Sequence, residues 1–133
     1  MKKITITLAA ATVAILLLFT GCDKYHRDRY VGYWDFVTEK RTYSDDFEII
    51  KRDTINYLGK ISNGKYENEI IIHYTNNDEI TIHVDTKGNL YSICEGGYCK
   101  CGNFTKKDKI YFNTKSPNSY DISETHYVNG IKK

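Results

Sequence analysis

Three of the four cysteines fall in one short stretch, SICEGGYCKCGNF, and their spacing suggests a covalent link. The pair Gly96-Gly97 predicts a two-residue hairpin turn, which would place Cys94 directly opposite Cys99. Opposed residues on antiparallel strands lie about 4.5–5.5 Å apart at Cα, a separation that a disulfide accepts. We therefore predict a Cys94–Cys99 bond with Cys101 as the unpaired thiol. Three reduced thiols and a thiolate metal or redox site are the alternatives, although C-x4-C-x-C does not match the paired ligands of zinc sites.

Two histidines, His73 and His83, suggest a different metal site. Both are out of phase with the alternating apolar residues around them, so both should face away from the core and lie opposite or nearly opposite one another. Two neutral imidazoles could begin a zinc or copper site, but the sequence offers no evident third ligand. The alternative is a pair of solvent-facing polar residues, and we predict no metal and no cofactor.

Catalytic motifs are absent from the sequence. It contains no G-x-S-x-G elbow, no P-loop and no H-E-x-x-H pair. Four carboxylates cluster around predicted hairpin ends, where such groups are normally solvated: Glu67, Glu69, Asp78 and Glu79. A Ser/His/Asp set assembled in space stays open, but we predict that the protein is not an enzyme.

Tyrosine is the most abundant aromatic residue, with twelve copies. Exposed tyrosines can stack on sugars or form an amphipathic surface for a protein partner. The alternative is that tyrosine simply suits β-strands. The candidates for such a surface are Tyr57, Tyr91, Tyr98, Tyr111 and Tyr127.

The N-terminus has the pattern of an export signal. Lys2 and Lys3 precede an uncharged segment from Ile4 to Phe19, which is shorter than the roughly 20 residues of a spanning helix. The residues that follow, Leu-Phe-Thr-Gly before Cys22, resemble the lipobox of bacterial lipoproteins. This resemblance implies a signal peptide at 1–21, acylation of Cys22 and a lipidated polar tether at 22–30. A plain cleaved signal and an uncleaved anchor helix are the alternatives.

Charge argues against nucleic acid as a partner. Once Lys2 and Lys3 are removed with the signal, 17 basic residues balance 17 acidic ones. A basic footprint for nucleic acid is therefore absent from the mature chain.

After residue 30 the apolar residues alternate with period two, as in half-buried strands. The clearest example is EIIIHYTNNDEITIHV, in which Asn76-Asn77-Asp78 marks a turn. Regularly spaced breaks predict an all-β fold, an antiparallel meander, sandwich or barrel. The predicted strands are near 31–40, 48–51, 54–62, 68–75, 79–85, 89–94, 99–104, 109–114 and 119–128.

The first predicted strand carries Gly32 and Trp34, which resemble the G-x-W signature of lipocalin-like barrels. With the lipobox and the meander, the chain resembles small lipocalin-like lipoproteins common in Gram-negative gut anaerobes. The resemblance implies a barrel of about eight strands over 31–133, attached by lipid to the outer membrane with its periplasmic or surface face undecided. It also implies that Lys132 or Lys133 packs across Trp34. It supplies no ligand.

An eight-stranded barrel has an interior wide enough only for side chains or one small ligand. We therefore expect a non-catalytic binding module for an apolar or glycan-like ligand, held in or on the barrel. The alternative is a structural or protein-interaction lipoprotein with a filled barrel and no small-molecule ligand. The candidate interior residues are Trp34, Phe36, Leu58, Ile70, Ile72, Ile80, Ile82, Val84, Leu90, Phe104, Phe112 and Ile122.

One modification signal remains. Asp53-Thr54-Ile55 resembles the acceptor sequence for O-glycosylation in the same group of bacteria, which implies a glycan on Thr54. A chance match of a short motif is the alternative.

Overall fold

The structure is a computed structural model that describes residues 26–116 and 123–133. A short 3-10 helix, His26–Tyr30, precedes eight strands, each antiparallel to the next, and the last strand pairs with the first to close a barrel. This confirms the predicted all-β meander of about eight strands and is consistent with a lipocalin-like fold. The strands are β1 Gly32–Tyr43, β2 Ile49–Asn63, β3 Glu69–His73, β4 Glu79–Val84, β5 Asn89–Cys94, β6 Gly97–Lys106, β7 Lys109–Lys115 and β8 Ser123–Lys132.

Two of the predicted strands, 48–51 and 54–62, are one continuous strand, β2. The two residues between these ranges are the polar pair Arg52-Asp53. Most of the first half of β2 is exposed to solvent, so charged side chains can continue the strand there without being buried. The β6 strand also begins at Gly97, two residues earlier than predicted.

The interior is formed largely by the predicted residues. Nine of the twelve candidates are buried and Ile80 packs against them, whereas Ile122 lies outside the described residues. Leu58 is a wrong prediction, because it is 58% exposed. It pairs with outward-facing Asp35, and the inward position next to it is occupied by Gly59. The buried apolar residues missing from the prediction are Tyr30, Ile61, Tyr74, Cys101, Ile110 and Val128.

Aromatic rings fill the middle of the barrel. Phe36 lies between two glycines of neighbouring strands, and a Cβ atom at Gly59 or Gly130 would come within 2.7 Å of its ring. Trp34 and Phe112 are both fully buried. Because real Cβ contacts are longer than this, the glycines are needed for the ring to fit. These rings occupy the space where a barrel ligand would bind.

The 3-10 helix packs against one end of the barrel. The Tyr30 ring stacks on Phe104 with centroids 3.5 Å apart, and Trp34 Nε1–H donates a hydrogen bond to the Tyr30 carbonyl at 2.9 Å. Lys132 pairs with Trp34 across the sheet and donates to the Arg29 carbonyl at 2.8 Å. The segment 22–30, expected to be a tether, is described from His26 onward, and that part packs with the domain.

Candidate functional site

A groove of about 680 Å³ lies on the outer surface of the barrel, where β4, β5 and β6 meet the β2–β3 turn. We call it the tyrosine groove, because three of its five lining residues are tyrosines. Aromatic side chains with a few polar groups are typical of small-molecule sites. The lining residues are Tyr66, Asn68, His83, Tyr91 and Tyr98.

Three adjacent strands supply one side of the tyrosine groove. His83 on β4 pairs directly with Tyr91 on β5, and the Tyr98 ring on β6 meets the His83 ring edge to face at 4.6 Å. Side chains of directly paired residues lie on the same face of a sheet. The alternation that buries Val84 and Leu90 therefore turns His83 and Tyr91 outward.

The β2–β3 turn supplies the other side. Arg27, from the 3-10 helix, donates hydrogen bonds to the carbonyls of Gly64 at 3.3 Å, of Tyr66, and of Glu69 at 3.0 Å. The Asn68 carbonyl accepts a bond from the Val84 amide at 2.7 Å. One guanidinium thus fixes the turn that carries Tyr66. Nothing in the sequence pointed to Tyr66 or Asn68, because no local pattern indicates that this turn approaches β4. His83 was predicted to face outward, but as a candidate metal ligand beside His73 and not as part of a groove.

A carboxylate lies beside the tyrosine groove. Burial raises the pKa of Tyr91, as do the charge of Asp85 and the hydrogen bond from the Tyr91 hydroxyl to Asp85 Oδ2 at 3.4 Å. Burial alone would raise the pKa of Asp85, but hydrogen bonds from Asn89 and from the Lys87 amide lower it overall. A protonated phenol and an ionised carboxylate therefore stand together, and the groove can both donate and accept hydrogen bonds.

The β5–β6 hairpin, which carries Cys94, Cys99 and Cys101, positions Tyr98 at the side of the tyrosine groove. Cys94 and Cys99 form a disulfide with Cα atoms 5.8 Å apart, and Cys101 is a buried free thiol whose pKa is raised by burial. The pairing partners are those predicted, but the predicted register is wrong. Cys94 faces Gly97, and Cys99 faces Ser92.

The reason for the register difference is the position of the turn. Glu95-Gly96 forms the turn, Gly96 has a φ of +91°, and Gly97 already belongs to β6. Gly97 also has a positive φ, +146°, but it pairs with Cys94 as the first residue of β6. Cys94 and Cys99 are consequently diagonal neighbours rather than directly opposed.

The histidine prediction is wrong in its geometry. Ile72 pairs with Ile80, so His73 faces Glu79 with Nδ1 3.1 Å from Oε2, while His83 faces Glu69 at the other end of the hairpin. The five-residue loop between β3 and β4 sets this register. Within 26–116 and 123–133, no group of three or more His, Cys, Asp or Glu side chains is arranged to hold a metal ion.

A buried polar chain that the sequence did not indicate lies inside the barrel. The Tyr74 hydroxyl lies 2.9 Å from His126 Nδ1, and His126 Nε2 lies 2.7 Å from Glu124 Oε1. Burial and the charges of Asp78 and Glu124 raise the pKa of Tyr74, so the phenol keeps its proton. Tyr74 and His126 are fully buried, which places them out of reach of a substrate.

One of the predicted solvated carboxylates is buried instead. Asp78 Oδ2 accepts hydrogen bonds from Lys40 Nζ and from the Thr75 hydroxyl, both at 2.7 Å. Burial alone would raise the pKa of Asp78, but these two hydrogen bonds and the Lys40 charge lower it overall. Glu67 and Glu79 are exposed as expected.

The remaining candidates are dispersed over the barrel. Tyr111 is exposed on β7, and Thr54 is exposed on β2 opposite Glu39. Tyr127 hydrogen-bonds to the Tyr43 hydroxyl at 3.1 Å. Of the five predicted surface tyrosines, only Tyr91 and Tyr98 come together in the tyrosine groove.

Cys22 and the signal segment 1–21 lie outside the described residues. Among the residues that are described, no helix has the length and apolar character needed to cross a membrane.

Searches of protein-family models, of curated proteins and of solved structures found no match to this chain.

Proposed function

We propose that this protein is a lipid-anchored envelope lipoprotein that acts as a non-catalytic binding module, with its ligand site in the tyrosine groove. The observation that carries the proposal is the contrast between the filled interior and the open groove. Rings and aliphatic side chains occupy the barrel, while the outer surface keeps about 680 Å³ of concave space. We therefore place the ligand site on the outer surface of the barrel and not in its interior.

The groove suits a glycan-like ligand. A sugar ring has apolar C–H faces and a rim of hydroxyls, so it stacks on aromatic rings while hydrogen-bonding to polar groups at their edges. Tyr66 and Tyr98 are both largely exposed and can offer ring faces. Asn68, His83 and the Tyr91 hydroxyl supply the polar groups.

Calorimetric titration of the purified full chain with linear neutral oligosaccharides tests the site. We expect measurable binding to at least one of maltohexaose, xylohexaose and mannohexaose. Tyr98→Ala should weaken it at least fivefold, since an aromatic side chain that stacks on a nucleobase contributes about 1–3 kcal/mol. Tyr33→Ala is the matched control, because Tyr33 and Tyr98 are each 60% exposed but Tyr33 lies outside the groove. Equal binding by both variants would contradict the proposal.

The lipid anchor needs its own experiment. In cells fed labelled palmitate, the wild-type chain should be labelled and partition into detergent. Cys22→Ser should abolish the label, since a thioether-linked lipid requires the cysteine sulfur. Unlabelled wild-type protein in the soluble fraction, with a mature N-terminus elsewhere, would show that the anchor assignment is wrong.

A second candidate function, protein interaction without a small-molecule ligand, is favoured by a different surface. Leu58 on β2 and Ile131 on β8 both pair with Asp35 of β1, and each is more than half exposed. Val37 lies two residues further along β1 and is also exposed. Leu58→Lys with Ile131→Lys would abolish a protein interaction through this face and leave oligosaccharide binding unchanged.

A further inference from the structure

The β2 strand has one edge without a partner over most of its length. It pairs with β1 from Ile49 to Ile61, but with β3 only from Lys60 onward. Within the described part of the chain, residues 49–59 therefore have no strand partner on the β3 side. A long free edge exposes unpaired N–H and C=O groups and is a template for another strand. A shallow groove of about 340 Å³ lies at the start of this edge, lined by Ile49, Ile50, Lys51 and Arg52.

Symmetry restricts how two copies of this edge can pair. Two identical strands that join antiparallel in one sheet are related by a two-fold axis normal to the sheet. Residues opposed across that axis lie on the same face, so the axis must pass beside one residue, which then faces its own copy. The choice of that residue fixes every other pair.

Charge selects among the possible axes. An axis at Arg52 or at Asp53 would place like charges directly opposite, which is unfavourable. An axis at Ile55 would place the exposed Ile50 against Lys60. An axis at Thr54 opposes no like charges, because Arg52 then faces Asn56 of the second copy.

The axis at Thr54 also pairs the exposed apolar residues. It places Ile50, which is 64% exposed, opposite Leu58 of the second copy, which is 58% exposed. The two-fold repeats this contact on the other side of the axis. The adjacent charges Lys51 and Asp53 are paired within one chain, with Nζ 2.8 Å from Oδ2.

We propose that two copies of this chain pair through their β2 edges, antiparallel, with Thr54 on the two-fold axis. The contact joins the same surface on both copies, so it produces a dimer and leaves no edge for a third copy. The charged residues at the centre of the edge disfavour pairing in other registers and with other strands.

Cysteine cross-linking in cells that produce the full chain tests both the contact and its register. Thr54→Cys should give a covalent dimer, at twice the chain mass on a non-reducing gel, after oxidation with copper phenanthroline. Arg52→Cys and Asn56→Cys should each stay monomeric alone but cross-link when produced together. If Thr54→Cys does not accumulate, this second pair carries the same test.

Further variants separate a specific contact from random collision. Leu58→Lys in the Thr54→Cys background should reduce cross-linking at least fivefold, whereas Tyr33→Lys should not. Several results would overturn the proposal: no cross-link through Thr54→Cys, an Arg52→Cys dimer of equal yield, or a wild-type chain carrying a glycan on Thr54. A glycan there would occupy the axis and exclude the second copy.

Discussion

The β1–β2 and β5–β6 hairpins both run past neighbouring strands, but they are held in different ways. Beyond the point where β4 and β7 cease to pair, β5 and β6 pair only with each other among the described strands, and the Cys94–Cys99 disulfide links them. The β1–β2 hairpin has no such link, but β8 pairs with β1 as far as Tyr43. An isolated two-stranded hairpin is marginally stable, whereas a third strand supports it. The covalent bond is thus found where the third strand is missing.

The difference matches the proposed roles of the two hairpins. Tyr98 on the cross-linked hairpin must keep its position against His83 for the tyrosine groove to exist. The β2 edge keeps its backbone groups free, which a strand that pairs with another copy requires. The β5–β6 hairpin is cross-linked and forms one side of the groove, whereas the β1–β2 hairpin has an unpaired β2 edge.

The largest expected effect is at the base of the β1–β2 hairpin. A Cβ atom at Gly59 would lie 2.0 Å from the His73 carbonyl oxygen and 2.7 Å from the Phe36 ring. Gly59→Ala should therefore lower the free energy of unfolding by about 3 kcal/mol, measured by urea denaturation. Gly96→Ala, in the β5–β6 turn, is the control. It has open space around it and a φ of +91°, so its cost should be about 1 kcal/mol. Equal losses would argue against a tightly filled interior.

Removal of the disulfide should have the next largest effect. The double variant Cys94→Ser/Cys99→Ser should lose about 2 kcal/mol, because the bond closes only a short loop. Hydrogen exchange should accelerate more in the amides of β5 and β6 than in those of β1 and β2, where only the lower global stability acts. Cys101→Ala retains the bond and serves as the control. Uniform acceleration across both hairpins would show that the disulfide does not act locally.

A smaller effect with a pH signature concerns Asp78, which binds Lys40 of β1. Its pKa is lowered in the folded chain, so the ionised carboxylate stabilises the fold. This contribution is complete above the ordinary pKa of 3.8 and is lost as the pH falls through the lower folded value. At neutral pH, Asp78→Asn should cost about 1.5 kcal/mol.

The pH dependence distinguishes this buried pair from an exposed one. Asp78→Asn should make the free energy of unfolding depend less steeply on pH in acid, because the variant lacks a carboxylate that binds a proton more readily in the unfolded chain. Asp53→Asn removes the exposed pair with Lys51 and should change stability by less than about 0.5 kcal/mol. A larger loss of stability from Asp53→Asn than from Asp78→Asn would contradict the conclusion that the buried pair contributes more than the exposed one.

The sequence predicted strand positions well because alternation is local. It misplaced Leu58 because a shift of one residue reverses the face of every side chain in a strand, and exposed β2 offered no pattern to fix the phase. The separation of His73 from His83 depends on the loop between them, which sets the register. Two adjacent glycines can each occupy a turn position at nearly the same energy. The sequence pattern alone therefore does not predict which of them does so.

The candidate site was less predictable than the fold. Tyr91 and Tyr98 are among the five predicted surface tyrosines, but nothing in the sequence set these two apart from the other three. Tyr66 comes to the same groove through three carbonyls held by Arg27. The contact joins Arg27, in a segment expected to be a tether, to a turn more than thirty residues away. No local sequence pattern predicts such a long-range contact.

The central claim is that ligands bind outside a filled barrel, and mass spectrometry of small molecules tests it most directly. Compounds released from the full chain purified from its native membrane should include no stoichiometric apolar molecule. Any glycan that copurifies should be lost in Tyr98→Ala and retained in Tyr33→Ala. An apolar compound bound one to one, and equally abundant in both variants, would place the ligand in the interior and contradict the account.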